Sequence, residues 1–117
     1  MGTVEKLYDL SMVEMISGGD KSFITKMIQL FIDTMPQNVS ELKASLQQQN
    51  WEMLGKHAHK MKSTIDSMGI SSLKEDIRTI EGSGKNKTNL EAVPGLVDKT
   101  AGIIDQCIQQ LKNDYAL

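Results

Sequence analysis

Between Trp51 and Met68 the apolar residues Trp51, Leu54, Ala58, Met61, Ile65 and Met68 recur at steps of 3, 4, 3, 4 and 3. That repeat places all six on one face of an α-helix, whereas a strand would divide them between two faces. The chain must therefore bury a helical seam. No stretch shows the alternation of a half-buried strand, prolines number only two, and Met, Leu, Ile, Lys, Glu and Gln dominate. An all-α fold follows.

Taken in order, Ser11 and Glu14 have the spacing of a capping box. It opens a short helix with Val13 and Ile16 inward, stopped by Gly18 and Gly19. Asp20 caps a second helix running to about Met35. Phe23, Ile24, Met27, Ile28, Leu30, Phe31, Ile32 and Met35 cover more than half its circumference, so some of that surface either sits between other helices or faces a partner. Pro36 ends this helix and opens a third, with Val39, Leu42 and Leu46 inward. Asn50 caps the helix of the seam, and Gly69 closes it. Ser72 and Glu75 suggest another capping box, ahead of Leu73, Ile77 and Ile80. The run Gly82-Ser83-Gly84-Lys85-Asn86-Lys87-Thr88 reads as a loop. A last helix begins near Asn89 or Pro94 and carries Val93, Leu96, Val97, Ile103, Ile104, Cys107, Ile108 and Leu111. Short connections imply antiparallel neighbours in an up-and-down bundle.

At 117 residues the chain suffices for one domain with one core. A net charge of -2 gives no basic surface for nucleic acid. No apolar run approaches the ~18 residues of a membrane span. Met1 to Lys6 lack a signal-peptide core, and Lys6 stands where a myristoylation signal at Gly2 wants Ser or Thr. Cys107, the one cysteine, occupies an apolar helical position and reads as a small buried hydrophobe. No internal disulfide is possible, which fits a reducing, cytoplasmic setting.

The seam also sorts the two histidines. On a helical wheel His59 falls about 130° from the seam centre, on the solvent side, and His57 lies on the opposite flank, about 160° from His59. They cannot share a metal, which needs spacing of three or four, and no other ligand set is present. Lys56 and Ser63 lie near the direction of His59, while Gly55, Lys62 and Asp66 fall between it and the seam. An exposed imidazole is a nucleophile at neutral pH and could carry a phosphoryl group. The added charge calls for a cation, and Lys62 is one turn along. Gly55, costly inside a helix, is explained if it leaves room for an approaching partner. A plain surface histidine among solvated lysines is the competing reading. No phosphate-cradling glycine loop, nucleophile triad or paired carboxylates offer another site.

The run Ala58-His59-Lys60-Met61-Lys62-Ser63, with Gly69 ten residues beyond the histidine, resembles the signature of the histidine-containing phosphotransfer (HPt) domain family. Asp9-Leu10-Ser11, Ile16-Ser17-Gly18-Gly19-Asp20 and Asn50-Trp51-Glu52-Met53-Leu54 are similar to its flanking segments, and the resemblance spans about residues 7–111 of a single domain, 1–117. It implies a four-helix bundle over 37–48, 51–68, 72–83 and 90–113, with 20–35 packed alongside. It further implies that His59 relays a phosphoryl group between receiver-domain aspartates through Nε2. Lys62 would stabilise the phosphate, Lys60 would contribute less, and the small Ser63 would admit the receiver. Gly55, Lys56, Asp66, Met27, Phe31, Ile32 and Met35 are the expected docking residues.

The partners implied are receivers of a hybrid sensor kinase or response regulator, which bring their own Mg²⁺. The chain itself would act as a monomer without cofactor, metal, nucleic acid or membrane. It has no nucleotide motif, so it should not phosphorylate itself, which also separates it from an ATP-dependent kinase core. The alternative is a helical adaptor with this fold and no phosphotransfer.

Overall fold

The computed structural model describes residues 6–117; the readings of Met1 to Glu5, signal core and Gly2 included, lie outside the described residues. All the helices and 3₁₀ turns follow one another without a strand among the described residues: α1 (Ser11–Ser17), α2 (Lys21–Gln47), α3 (Trp51–Ser67), α4 (Lys74–Asn86) and α5 (Val93–Tyr115). Two 3₁₀ turns, Ser71–Leu73 and Leu90–Ala92, lead into α4 and α5. α2 packs on α3 and α5, and α4 packs on the same two, so the four long helices close a ring around one core. Ile28, Met35, Leu42, Leu54, Met61, Ile65, Ile77, Ile80 and Ile104 fill it.

The signals that start and stop α3 act as expected. The Asn50 side chain accepts from Met53 N–H at 3.2 Å. At the other end Gly69 N–H donates to Asp66 O and Ile70 N–H to Ile65 O, both at 3.1 Å, the paired bonds of a Schellman turn. Gly69 sits at φ +63, and a Cβ there would lie 2.3 Å from Asp9 O. Glycine is required twice at this position, once for the turn and once for the segment crossing it. That segment is tied down by Asp9 N–H to Met68 O at 3.0 Å, Leu7 N–H to Gln110 Oε1 at 2.9 Å, and a Tyr8 hydroxyl that donates to Asp114. Asp20 caps α2, and Gly18, at φ +66, ends α1.

Four expectations are overturned. Pro36 does not divide two helices; it lies inside the 27 residues of α2. An interior proline removes a hydrogen bond and costs about 3 kcal/mol. Here Phe31, Ile32 and Met35 before it and Leu42 after it enter the same core, and that burial outweighs the local cost. The bundle's first long helix is therefore 21–47, not 37–48.

Nor is Gly82–Thr88 a loop, since α4 continues to Asn86. Gly84 is buried against α3, and a Cβ there would stand 2.6 Å from Trp51 O and 2.7 Å from Gly55 N. The residue that looked like a helix breaker is what lets two helix backbones meet.

Neither capping box forms. Ser11 is already in the helix, with its hydroxyl and N–H both turned to Asp9 Oδ1, and the elements beginning at Ser71 and Lys74 have no side-chain cap. Ile16, expected inward, is 67% exposed, because so short a helix buries only Val13.

Candidate functional site

The outward placement of His59 holds in three dimensions. Ala58 and Met61 are fully buried on either side of it in sequence, which fixes the rotation of α3 and leaves the imidazole 68% exposed. His57 is half-buried on another flank. The residue that engages His59 comes from α4. Glu81 Oε2 lies 2.5 Å from His59 Nδ1, and its other oxygen accepts from Lys62 Nζ at 2.9 Å.

Glu81 is only 17% exposed. Burial pushes its carboxyl up, but hydrogen bonds from Lys62 and His59, with their charges, outweigh that and hold it below the ordinary carboxylate range. Glu81 is thus an ionised acceptor, so the hydrogen between it and the imidazole resides on Nδ1. The second ring nitrogen, Nε2, is not engaged by Glu81. The consequence is an anchored, exposed imidazole whose Nδ1 is held by Glu81 and whose Nε2 is not.

Glu81 could not be picked out from the sequence because α4 was expected to end near it. Its signal was a lone carboxylate next to Ile80, one turn past Ile77, on a seam otherwise flanked by glycines and small polar residues. Lys85 falls one further turn along the same face.

Two grooves flank α3. The one shared with α4 has a volume of about 610 Å³ and is lined by His59, Lys56, Lys85 and Lys87, with Glu52 and Glu81. The groove shared with α2 has a volume of about 120 Å³ and is lined by Met27, Leu30, Phe31, Ser63, Thr64 and Met68.

Several expected docking residues take other roles. Phe31, Ile32 and Met35 are core, at 2%, 8% and 0% exposure, because α2 runs between α3 and α5 and turns this face inward. Met27 is half-buried, and the exposed apolar side chain of that groove is Leu30. Gly55 is buried beneath α4, where a Cβ would come within 3.3 Å of Lys85 N; its missing side chain makes room for a helix of the same chain. Asp66 binds Arg78 of α4 with both oxygens, at 3.1 and 2.6 Å, which holds its carboxyl low. Lys56 pairs with Glu52 at 3.4 Å. Ser63 is exposed and donates to Lys60 O at 3.4 Å, with Lys60 also in solvent.

No three His, Cys, Asp or Glu residues among those described are grouped to hold a metal ion. No helix among the described residues is long and apolar enough to cross a membrane. Cys107 is buried, and burial pushes its thiol up to about 12.

The site is thus an exposed imidazole held on a helical bundle and anchored by a carboxylate of the neighbouring helix. The family model described as "Hpt domain" matches residues 26–114, most of the chain, and the chain belongs to the histidine-containing phosphotransfer domain family. At the level of that family, its members take part in histidine phosphotransfer in two-component systems, where they interact with receiver domains. No curated protein and no solved structure gives a significant match.

Proposed function

We propose that this chain is a phosphorelay intermediate in which His59 Nε2 takes a phosphoryl group from one receiver aspartate and yields it to another. The observation that carries this reading is the Glu81 contact, which fixes the proton on Nδ1 of an exposed histidine. Nε2 attacks phosphorus, the bond from phosphorus to the aspartyl oxygen breaks, and the carboxylate leaves with the electron pair. The imidazolium so formed keeps its Nδ1 proton against Glu81, whose charge offsets that of the ring. The reverse step regenerates the neutral imidazole. Positioning and charge neutralisation suffice for such transfer.

In this reading Lys62, one turn along α3 from His59, keeps Glu81 ionised and adds to the positive charge that offsets the phosphoryl group. Ser63 leaves the approach open by being small, and the exposed Lys60 contributes less than Lys62. The receiver supplies Mg²⁺. The four long helices form an antiparallel up-and-down bundle, residues 1–117 form one domain, and the protein works as a cytoplasmic monomer without autokinase activity.

The test is transfer from a phosphorylated receiver to the purified chain, followed as acid-labile label. Wild type and His57→Gln become labelled and His59→Gln does not. If wild type stays unlabelled with every cognate receiver, the adaptor reading replaces this one.

A further inference from the structure

A phosphoryl group on His59 brings nearly two negative charges to the surface, and some cation must meet them. Lys62 is already committed: its Nζ lies 2.9 Å from Glu81 and its side chain is only 29% exposed. The uncommitted cations stand elsewhere. Lys56, Lys85 and Lys87 line the groove between α3 and α4 together with His59. Among the described residues Lys85 and Lys87 form no ion pair, and Lys56 has only Glu52, at 3.4 Å with both side chains mostly in solvent. Such an exposed pair yields easily to a doubly charged anion. Both Glu81 oxygens are occupied by His59 and Lys62, so the groove is left with an excess of positive charge.

The helix crossing puts the lysines there. Gly55 lies one turn before His59, and Lys85 N comes within 3.3 Å of the place its Cβ would take. With side chains at Gly55 and Gly84 the two helices would stand apart, and the end of α4 would move away from His59.

We propose that this groove is a phosphoryl-binding subsite, in which Lys56, Lys85 and Lys87 hold the anionic oxygens of the group carried by His59. The inference rests on the reading of His59 as acceptor. The ligand chemistry is a phosphate-type dianion, whether it arrives on a receiver aspartate or on a small phosphodonor.

Phosphoramidate separates the subsite from the receiver. Nε2 attacks its phosphorus, the P–N bond breaks and ammonia leaves with the electron pair, while the ring keeps its Nδ1 proton against Glu81. The rate of phosphohistidine formation is followed by ³¹P NMR in wild type, in Lys56→Gln/Lys85→Gln/Lys87→Gln, and in Lys26→Gln/Lys43→Gln/Lys112→Gln. The last removes equal charge from exposed positions outside the groove. The groove variant is expected to react about tenfold more slowly, the sum of three exposed charge contacts, while the control matches wild type. All six lysines are exposed, so both variants should melt with wild type. Equal rates in the groove variant and wild type, or equal slowing in the control, would overturn the subsite and leave the acceptor reading standing. A wild type that forms no phosphohistidine from either phosphoramidate or receiver would remove both.

Discussion

The two flanks of α3 are made of different materials. Toward α4 the contact is backbone on backbone, Gly84 against Trp51 and Gly55, and the groove above it is charged. Toward α2 it is side chain on side chain, Met27 and Phe31 with Thr64 and Met68, and the smaller groove there is lined without a charged residue. The close crossing brings Glu81 against His59 and puts Lys85 in the same groove. The side-chain packing leaves Leu30 at 55% exposure and offers a surface suited to a macromolecular partner. His59 lines the first groove, and Ser63, one turn along α3, lines the second.

The strongest test of this contrast is at the crossing. Gly84→Ala puts a methyl 2.6 Å from a backbone carbonyl that has no free end to swing away. It should cost about 3 kcal/mol in denaturant unfolding. Gly55→Ala, whose nearest contact is 3.3 Å, should cost distinctly less. If both are neutral, the crossing is looser than these distances imply.

Next is the carboxylate that the crossing delivers. Glu81→Ala should slow phosphotransfer roughly tenfold or more, as loss of a carboxylate that orients a working histidine does. Glu81→Gln, which keeps an acceptor oxygen, should recover part of the rate. The Glu81 bridge also has a pH signature. Its carboxyl titrates below the ordinary range when folded, so the unfolded chain binds the proton first. The stabilisation is complete above the ordinary value of 4.5 and is lost as pH falls through the lower folded value. The stability gap between wild type and Glu81→Gln should therefore close in acid; a gap that widens there contradicts the bridge.

On the other flank, Leu30→Ser should slow transfer from a receiver several-fold. Unfolding free energy should stay within ~0.5 kcal/mol and the phosphoramidate rate should not change, since the residue is exposed. A loss in both reactions would mean that the two grooves are not functionally separate. The smallest effect expected is at Gly82, helical with open space around its Cβ position. Gly82→Ala should stabilise by about 0.5–1 kcal/mol in thermal or urea unfolding, opposite in sign to Gly84→Ala two residues away.

That pair also shows where reading the chain as a string gives out. Gly82 and Gly84 are identical as letters, and with Ser83 between them they suggest a turn. Pro36 misleads in the same way. Both signals describe what a segment prefers in isolation, and in both the helix persists because residues on either side share one core. Phe31 and Met35 were legible as apolar, but whether such a residue meets a partner or its own chain depends on the helix beside it.

The pattern of residues is enough to set the all-helical class, the rotation of α3 and the separation of His59 from His57. These follow from the 3.6-residue period acting within one element. The Asn50 and Gly69 boundaries of α3 were also readable, because caps are local hydrogen-bond arrangements. What surrounds the histidine is settled between elements instead. Glu81 lies 22 positions from His59, and Lys85 further still. Their meeting depends on how closely two helices cross, and two missing side chains set that distance.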